Sequence, residues 1–403
     1  MAENNATEIQ AKSTAATIMA VLAICGVVTF LVCLWSDQPQ RAWRAYLINF
    51  LLWSAMAQGG LLFSVVLQVT NARWGRGLRG VAEAFAAFFP ISLLLFLVLF
   101  LGRDHIFPWL HMEDLHGKEV WLNVPFLFAR DLAGLAFLYL FGMLYLLQSL
   151  QLKRICNNQA QRRNDLLQTR PGEIDAAAGT RRRMTTLGVL YIITYAFVLS
   201  LIGYDLVMSL DPHWISTLFG PYIFIKAFYL GIGGIIITAA LLHLNAGHAF
   251  EVPSQEFHDM GKLFLAFCLV WADFFYVQLV VIWYGNIPEE TVYVISRVGH
   301  APWRTLAWAV FGVSFVLPFL VLINRRVKTM PRMMLALCGV VLIGLWLEHL
   351  LLVGPALDHG TARLNLGIPD LLITLGFCGL MGSAVSYMLK RYPELLISGE
   401  GRS

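Results

Sequence analysis

Eight ionisable side chains interrupt long apolar stretches of the sequence, and carboxylate, imidazole and amine groups at such positions are suited to moving protons. Ionisable groups are costly inside a bilayer, so each needs a partner, a route to water or a function. Asp273 is the extreme case, because it lies near the middle of its apolar run and must face a partner or an internal cavity. The eight candidates for a proton path are Glu83, Asp205, Lys226, His243, Asp273, Glu348, His349 and Asp370.

These side chains lie within ten apolar runs, each long enough to cross a bilayer. Of 403 residues, 58% are hydrophobic and only 13% are charged, whereas about 25% of the residues in soluble domains are charged. Spans without barrel-type alternation must be helices, which satisfy their own backbone hydrogen bonds. The sequence therefore predicts an all-α polytopic membrane protein, a single integral membrane domain over residues 1–403, with no nucleic-acid partner. The predicted spans are residues 14–35, 45–69, 80–101, 126–150, 187–209, 221–246, 261–283, 303–323, 332–353 and 368–389.

Lys and Arg residues fall mostly on one side of this predicted topology. With ten spans, 20 of the 29 lie on one side and eight on the other, and Lys226 lies inside a span. The positive-inside rule then predicts cytoplasmic termini and places the loops 102–125 and 284–302 outside. We interpret the basic loop 151–186 as a cytoplasmic topology anchor, which could also attract anionic membrane lipids. The first run lacks the basic leader of a secretion signal, so we expect a retained anchor.

Depth along the predicted spans sorts the eight candidates into three levels. The level near the outer face consists of Asp205, Lys226, Glu348, His349 and Asp370. Asp273 forms the middle level, and Glu83 with His243 forms the level near the cytoplasmic face. Such a ladder could pass protons between carboxylates, imidazole and water. The alternative is structural pairing, for example of Asp205 with Lys226; we favour a structural role for Glu83, His243 and Asp370 and a functional role for Asp273.

Redox cofactors are not predicted for this chain. The six cysteines include no CxxC pair, which argues against covalent haem and iron–sulfur clusters. His243 and His349 are predicted near opposite ends of their spans, too far apart to share a haem iron. Two local features concern packing instead: the GIGG segment at 231–234 predicts close helix approach, and Pro318 predicts a kink or a freed carbonyl.

Two motifs carry a family resemblance: YDLVMSLDPHWISTLFGPY at 204–222 and WYGNIPEETVY at 283–293. With ten spans and the basic loop after the fourth, they resemble the F subunits of bacterial alternative complex III, within the NrfD/polysulfide-reductase-type membrane family. The resemblance implies a bacterial inner-membrane location and two four-helix bundles, at 45–209 and 221–353, flanked by the first and last spans. It also implies a paralogous ten-span quinol-binding subunit, and outer-side partner subunits that hold haem c and iron–sulfur clusters. A terminal oxidase is a further candidate partner.

Three functions remain open at this stage. The leading hypothesis is a proton-conducting and scaffolding subunit, without catalytic residues of its own, of a quinol:electron acceptor (cytochrome c) oxidoreductase. The second is direct quinone or quinol binding, for which the 204–222 motif supplies the candidates Asp205, Asp211 and His213. The third, from another class, is an autonomous secondary transporter, although paired helix interruptions in two halves are weakly marked here.

Overall fold

The computed structural model describes residues 2–36, 38–113, 115, 117–164, 171–245, 250–357, 364 and 366–396, and all regular structure within them is helical. Ten helices in this part of the chain are long and apolar enough to cross a membrane, as the sequence predicts. We number them spans 1 to 10. Their bounds are Ala16–Trp35, Pro39–Val69, Arg76–Ile106, Val124–Gln159, Asp175–Leu210, Phe219–Asn245, Ser254–Gly285, Trp303–Ile323, Pro331–Leu357 and Ile368–Arg391.

Several helices continue beyond the apolar runs that predicted them. Span 4 belongs to the helix Val124–Asn164, and span 5 belongs to the helix Pro171–Leu206. Residues 151–164 and 171–186 of the predicted basic loop 151–186 are therefore helical, residues 165–170 lie outside the described residues, and the cytoplasmic location of the loop stays a prediction. Gln, Lys, Arg and Ala are good helix formers, so a helix can continue beyond its apolar run. Hydropathy marks the end of the apolar run but not the end of the helix.

Successive spans run in opposite directions, so the connections alternate between two faces of the molecule. We call the face that has the start of span 1, the end of span 10 and the connections after spans 2, 4, 6 and 8 the basic face, because most Lys and Arg residues of the sequence belong to those segments. The other is the opposite face, where short helices, Pro108–His111 and Pro288–Val298, occupy two of the connections. Trp214 stacks on Tyr293 there with ring centroids 3.6 Å apart, which joins the connection after span 5 to the helix Pro288–Val298.

Span 2 occupies the centre of the bundle. In its most apolar 18-residue window, 94% of the residues are buried, against 17% for span 1. Span 2 packs against spans 5, 6, 9 and 10 as well as its neighbour span 3, whereas span 1 packs mainly against span 10. The division into two four-helix bundles stays a prediction, because span 2 packs extensively against both sets of helices.

Glycine permits the close crossing of spans 2 and 6. A Cβ atom added at Gly231 would overlap the backbone of Gly59 and Gly60, and one added at Gly59 would overlap the carbonyl of Ala227. The GIGG segment thus brings the helices together as its small residues predict.

Pro318 frees a carbonyl within span 8, also as predicted. Proline has no N–H to donate to the residue four positions earlier, and a π-helical turn, Gly312–Val316, directly precedes its helical segment. The hydroxyl of Tyr229 donates to the Ser314 carbonyl at 3.3 Å, and the thiol of Cys268 approaches the same oxygen at 3.5 Å. Spans 6 and 7 therefore satisfy the backbone group that the proline releases.

Gly231→Ala should destabilise the fold, because the added methyl group has no space between spans 6 and 2. Overpacking of this kind costs about 1–3 kcal/mol, which should lower the unfolding temperature of the detergent-solubilised protein. Gly339→Ala in span 9 is the matched control, since a Cβ atom there meets nothing within 4 Å. Equal unfolding temperatures for the two variants would contradict the close crossing.

Candidate functional site

A buried carboxylate, Glu83, gathers polar groups near the basic face. Glu83 is 0% exposed and receives Lys153 at 2.8 Å and Arg79 at 3.2 Å. The hydroxyls of Ser64 and Ser149 donate to the same carboxylate at 2.8 and 2.7 Å. Two cations surround one carboxylate, so the Glu83 cluster carries a net positive charge and is well paired.

Neutral polar side chains form the next cluster, near the middle of spans 2, 3 and 4. The hydroxyls of Ser54 and Ser92 lie 2.6 Å apart, and Ser92 lies 2.7 Å from the hydroxyl of Tyr139. Gln58 donates its amide to Tyr139 at 3.1 Å, while its buried Oε1 atom has no hydrogen-bond partner in the described part of the chain. Because each hydroxyl can donate and accept, this hydroxyl cluster can exchange hydrogen-bond direction along its length.

A gap along spans 2 and 4 separates the Glu83 cluster from the hydroxyl cluster. Tyr145 lies 3.1 Å from the Ser64 hydroxyl, and both residues lie one level closer to the basic face than Tyr139 and Gln58. Ser64 follows Gln58 by six residues on span 2, and Tyr145 follows Tyr139 by six residues on span 4. Six residues correspond to about 9 Å along a helix. A proton crossing this step needs bridging water, because no side-chain contact joins the two clusters among the described residues.

A small cavity joins the hydroxyl cluster to charged groups nearer the opposite face. Its volume is about 20 Å³, and its polar lining comes from Ser54, Gln58, Lys226 and His349. A cavity needs about 10–15 Å³ to hold a water molecule, so this one, whose nine other lining residues are apolar, has room for a single water. Such a water could bond to the free Oε1 atom of Gln58 and to groups of spans 6 and 9.

The charged groups beside this cavity form a buried pair between spans 6 and 9. Lys226 donates to Glu348 at 3.1 Å, the Tyr222 hydroxyl donates to the same oxygen, and both charged residues are almost fully buried. The second oxygen of Glu348 has no hydrogen-bond partner in the described residues. His349 directs Nδ1 to the Leu345 carbonyl at 2.8 Å and also lines the cavity. The structure therefore brings Lys226, Glu348 and His349 together.

Asp205 lies in a separate charged site, between spans 4 and 5. Arg130 grips its two oxygens at 2.6 Å each, and the indole of Trp121 donates to it at 2.9 Å. The expected pairing of Asp205 with Lys226 is wrong: each pairs with a different residue. Bidentate geometry favours the arginine, because its planar fork matches a carboxylate.

Asp131 adds a second carboxylate to the Asp205 site. It is 0% exposed, and neither of its oxygens has a hydrogen-bond partner among the residues described. Its charge interacts with those of Asp205 and Arg130. With two carboxylates and one guanidinium, the site has an excess negative charge that one bound proton would neutralise.

A larger cavity lies at the opposite face beside Tyr222. Its volume is about 90 Å³, and aromatic and aliphatic side chains line it together with Gln278 and Arg297. Arg297 pairs with Asp211 at 2.7 Å and donates to the Leu352 carbonyl at 2.7 Å. Burial raises the pKa of Tyr293 in this wall to about 12, although the positive charge of Arg297 opposes the shift, so the phenol is neutral at physiological pH.

Three remaining candidates do not join this interior. Asp273 is exposed on span 7 and has no hydrogen bond or ion pair with any described residue. Asp370 pairs with Arg41 and Arg44 at the start of span 10, at 2.5 and 3.5 Å. His243 accepts a hydrogen bond from the Val252 amide at 3.2 Å. The structure gives Asp370 and His243 local structural contacts and leaves Asp273 outside the ladder.

The proposed quinone ligands also lie apart. Asp205 bonds to Arg130 between spans 4 and 5, and Asp211 bonds to Arg297 beside the larger cavity. His213 is exposed in the same connection as Asp211. The motif therefore contributes to two different sites rather than to one.

Reasoning from the sequence missed several residues of the polar clusters and of the cavity walls. Arg130 and Asp131 lie within the predicted span 126–150 but are not among the eight candidates. The neutral members of the hydroxyl cluster carry no charge to mark them within an apolar run. A signal did exist for Asp131, which lies seven residues inside the observed span 4. The missed residues are Gln58, Arg79, Ser92, Arg130, Asp131, Tyr139, Lys153, Tyr222 and Arg297.

Within the described residues, no group of three or more His, Cys, Asp or Glu side chains is arranged to hold a metal ion. The clusters offer hydroxyl, amide, carboxylate and ammonium groups, which are suited to holding and passing protons. Comparison with known proteins adds no family: no protein-family model matches the chain, and no curated protein matches it at a significant level.

Lys226→Met should strongly destabilise the protein, because it removes the cation from a buried carboxylate. Breaking a buried pair costs about 3–5 kcal/mol; unfolding in detergent measures the loss. Lys262→Met is the matched control: Lys262 is 54% exposed and pairs with Asp259 at 2.7 Å, so its loss should cost less than about 1 kcal/mol. Adding Glu348→Gln to Lys226→Met should recover part of the stability, and a failure to recover any would argue against the pairing.

Proposed function

We propose that this chain is a proton-conducting and scaffolding membrane subunit of a respiratory quinol oxidoreductase of the alternative complex III type. The motifs at 204–222 and 283–293 support the choice of complex, and the ten spans are compatible with it. In this proposal the chain lies in a bacterial inner membrane with both termini in the cytoplasm. Partner subunits provide the haem c and iron–sulfur centres and the main quinol site.

One observation supports proton conduction above all: polar side chains of three different spans meet at the 20 Å³ cavity, whose remaining lining is apolar. On one side of it Ser54 begins the hydroxyl cluster, and on the other Lys226 and His349 adjoin Glu348. A single water there would connect the two sets through hydrogen bonds. Ionisable groups then lie at both ends of the route, where protons would enter and leave.

Protons would move along this route by hydrogen-bond exchange rather than by movement of a side chain across the membrane. A proton held by Glu348 or His349 could pass to the cavity water, then to Ser54, Ser92 and Tyr139 as each hydroxyl accepts one proton and donates another. The 9 Å step to Tyr145 requires further water. The Glu83 cluster, with its excess positive charge, would form the end at the basic face.

Tyr139→Phe should lower the number of protons moved per electron, because it removes the hydroxyl between Ser92 and Gln58. We expect at least a twofold fall in vesicles reconstituted with the native complex. Electron transfer should remain substantial, since the proposed redox centres lie on other subunits. Proton movement is followed with a pH-sensitive dye and electron flow with the reduction of the acceptor.

Tyr195→Phe is the matched control for that experiment. Its hydroxyl is also buried but donates only to the Phe224 carbonyl, at 2.8 Å, and lies outside the polar series. Tyr139→Phe loses two hydrogen bonds and Tyr195→Phe loses one, each worth about 1 kcal/mol, so proton movement is compared per assembled complex. Wild-type proton-to-electron ratios in both variants would refute conduction through the hydroxyl cluster. A chain that moves solutes alone, without comigrating haem-c subunits, would favour the transporter class.

Quinone or quinol binding is the second candidate function, and the 90 Å³ cavity favours it. The cavity is mainly aromatic and aliphatic, as a ring-shaped apolar ligand requires. Arg297 offers a hydrogen-bond donor in its wall, and Tyr222 connects the wall to Glu348. A quinol that gave its two electrons to the redox centres of the partner subunits could release its two protons toward Glu348, which would place binding and proton conduction on one route.

Val294→Phe should weaken quinone binding, because the larger side chain would fill the cavity that Val294 lines. The expected result is at least a fivefold reduction in labelling of this chain by a photoreactive quinone analogue. Val292→Phe on the same helix is the control, since Val292 is 64% exposed and does not line the cavity. Equal labelling of the two variants would exclude this cavity as the quinone site.

A further inference from the structure

Span 7 presents a continuous exposed face to its surroundings. Exposed and partly exposed positions recur at alternating spacings of four and three residues, which align on one side of a helix. The members of this span 7 face are Lys262, Ala266, Leu269, Asp273, Tyr276, Val280 and Trp283. The other side of the helix, with Phe264, Cys268 and Trp271, is buried against the rest of the chain.

Asp273 lies at the centre of the span 7 face. Trp283, a residue type that favours the membrane interface, is ten residues further along, about 15 Å at the rise of an α-helix. Lys262 is eleven residues earlier, about 17 Å in the other direction. The distance along the helix from Lys262 to Trp283 is therefore close to the hydrocarbon thickness of about 30 Å. Asp273 therefore lies near the midplane, the depth that the sequence predicts, but on the outside of the chain.

No described residue of this chain compensates the charge of Asp273. Lys262 cannot do so, since it lies more than three helical turns away and pairs with Asp259 at 2.7 Å. A carboxylate at this depth cannot extend to the interface, because its side chain is far too short. Intramembrane carboxylates are expensive unless they meet an opposite charge or a donor, so the compensating group must come from another molecule.

We propose that the span 7 face docks against a membrane-spanning helix of a different polypeptide, which places a Lys or Arg side chain opposite Asp273. The spacing of the face is that of a helix–helix seam, and Tyr276 and Trp283 offer the aromatic contacts that dominate many interfaces. This inference does not depend on the proposed function.

A second copy of this chain fits the face poorly. Among the described residues, exposed Lys and Arg side chains lie near the ends of spans, and the cation deeper in a span, Lys226, is buried. A two-fold contact between span 7 faces would also bring Asp273 toward its own copy. Charge complementarity therefore requires a different partner.

Photo-crosslinking in the native membrane tests this proposal. A photoreactive phenylalanine analogue at Leu269, next to Asp273 on the face, should form an adduct with another membrane polypeptide. Asp273→Leu should reduce the yield of that adduct at least tenfold, while Asp273→Asn should reduce it less. An analogue at Ile193, 62% exposed on span 5, is the control, and its crosslinks should not respond to Asp273→Leu.

A charge exchange completes the experiment. Mass spectrometry of the adduct identifies the basic residue on the partner helix, and changing that residue to Asp should restore the yield in an Asp273→Lys background. The unfolding temperature of the isolated chain should be the same with Asp273→Leu, since Asp273 has no partner within it. Adducts at twice 45.2 kDa, adducts with lipid alone, an undiminished yield in Asp273→Leu, a failed charge exchange or a lowered unfolding temperature would each overturn the proposal.

Discussion

A charged group buried among membrane helices must meet an opposite charge or a hydrogen-bonding group, because water is not there to solvate it. This constraint organises the interior of the protein. Glu83 meets two cations, Glu348 meets Lys226 and a phenol, and Asp205 meets a bidentate arginine. Except for Arg79 with Glu83, which lie on the same span, these contacts join different spans, so the pairs that make the charges tolerable also fix which helices are neighbours.

The membrane spans could be predicted from the sequence, whereas the side of each helix that packs against the other helices could not. The ten spans follow directly from composition, and the roles of Gly231 and Pro318 follow from local chemistry. The middle depth of Asp273 stays a prediction. Its exposure was not foreseeable, because a hydrophobic run has apolar residues on every side and no periodicity marks the face that packs inward.

The partners of the charged residues were unpredictable for a related reason. Asp205 and Lys226 are predicted at similar depths, yet depth alone does not determine which helices are adjacent. Arg130, rather than Lys226, pairs with Asp205 because spans 4 and 5 pack closely along their length. The structure therefore changes the ladder in one important way: neutral hydroxyls and an amide, rather than a carboxylate, occupy its middle level.

A neutral middle level has a physical advantage for a route that carries protons. A fixed charge at the midplane would attract or repel each passing proton, and it would need a permanent partner that immobilised it. In the proposed route, hydroxyls such as those of Ser92 and Tyr139 would exchange donor and acceptor roles as a proton passes and would rotate back before the next one. Span 2, the most buried span, contributes Ser54 and Gln58 to the middle level and Ser64 to the Glu83 cluster. Under the proposed function, this central helix would hold the polar groups at hydrogen-bond distance while the charged groups at both ends gained and lost protons, so that the neutral level and the charged levels would divide one task between them.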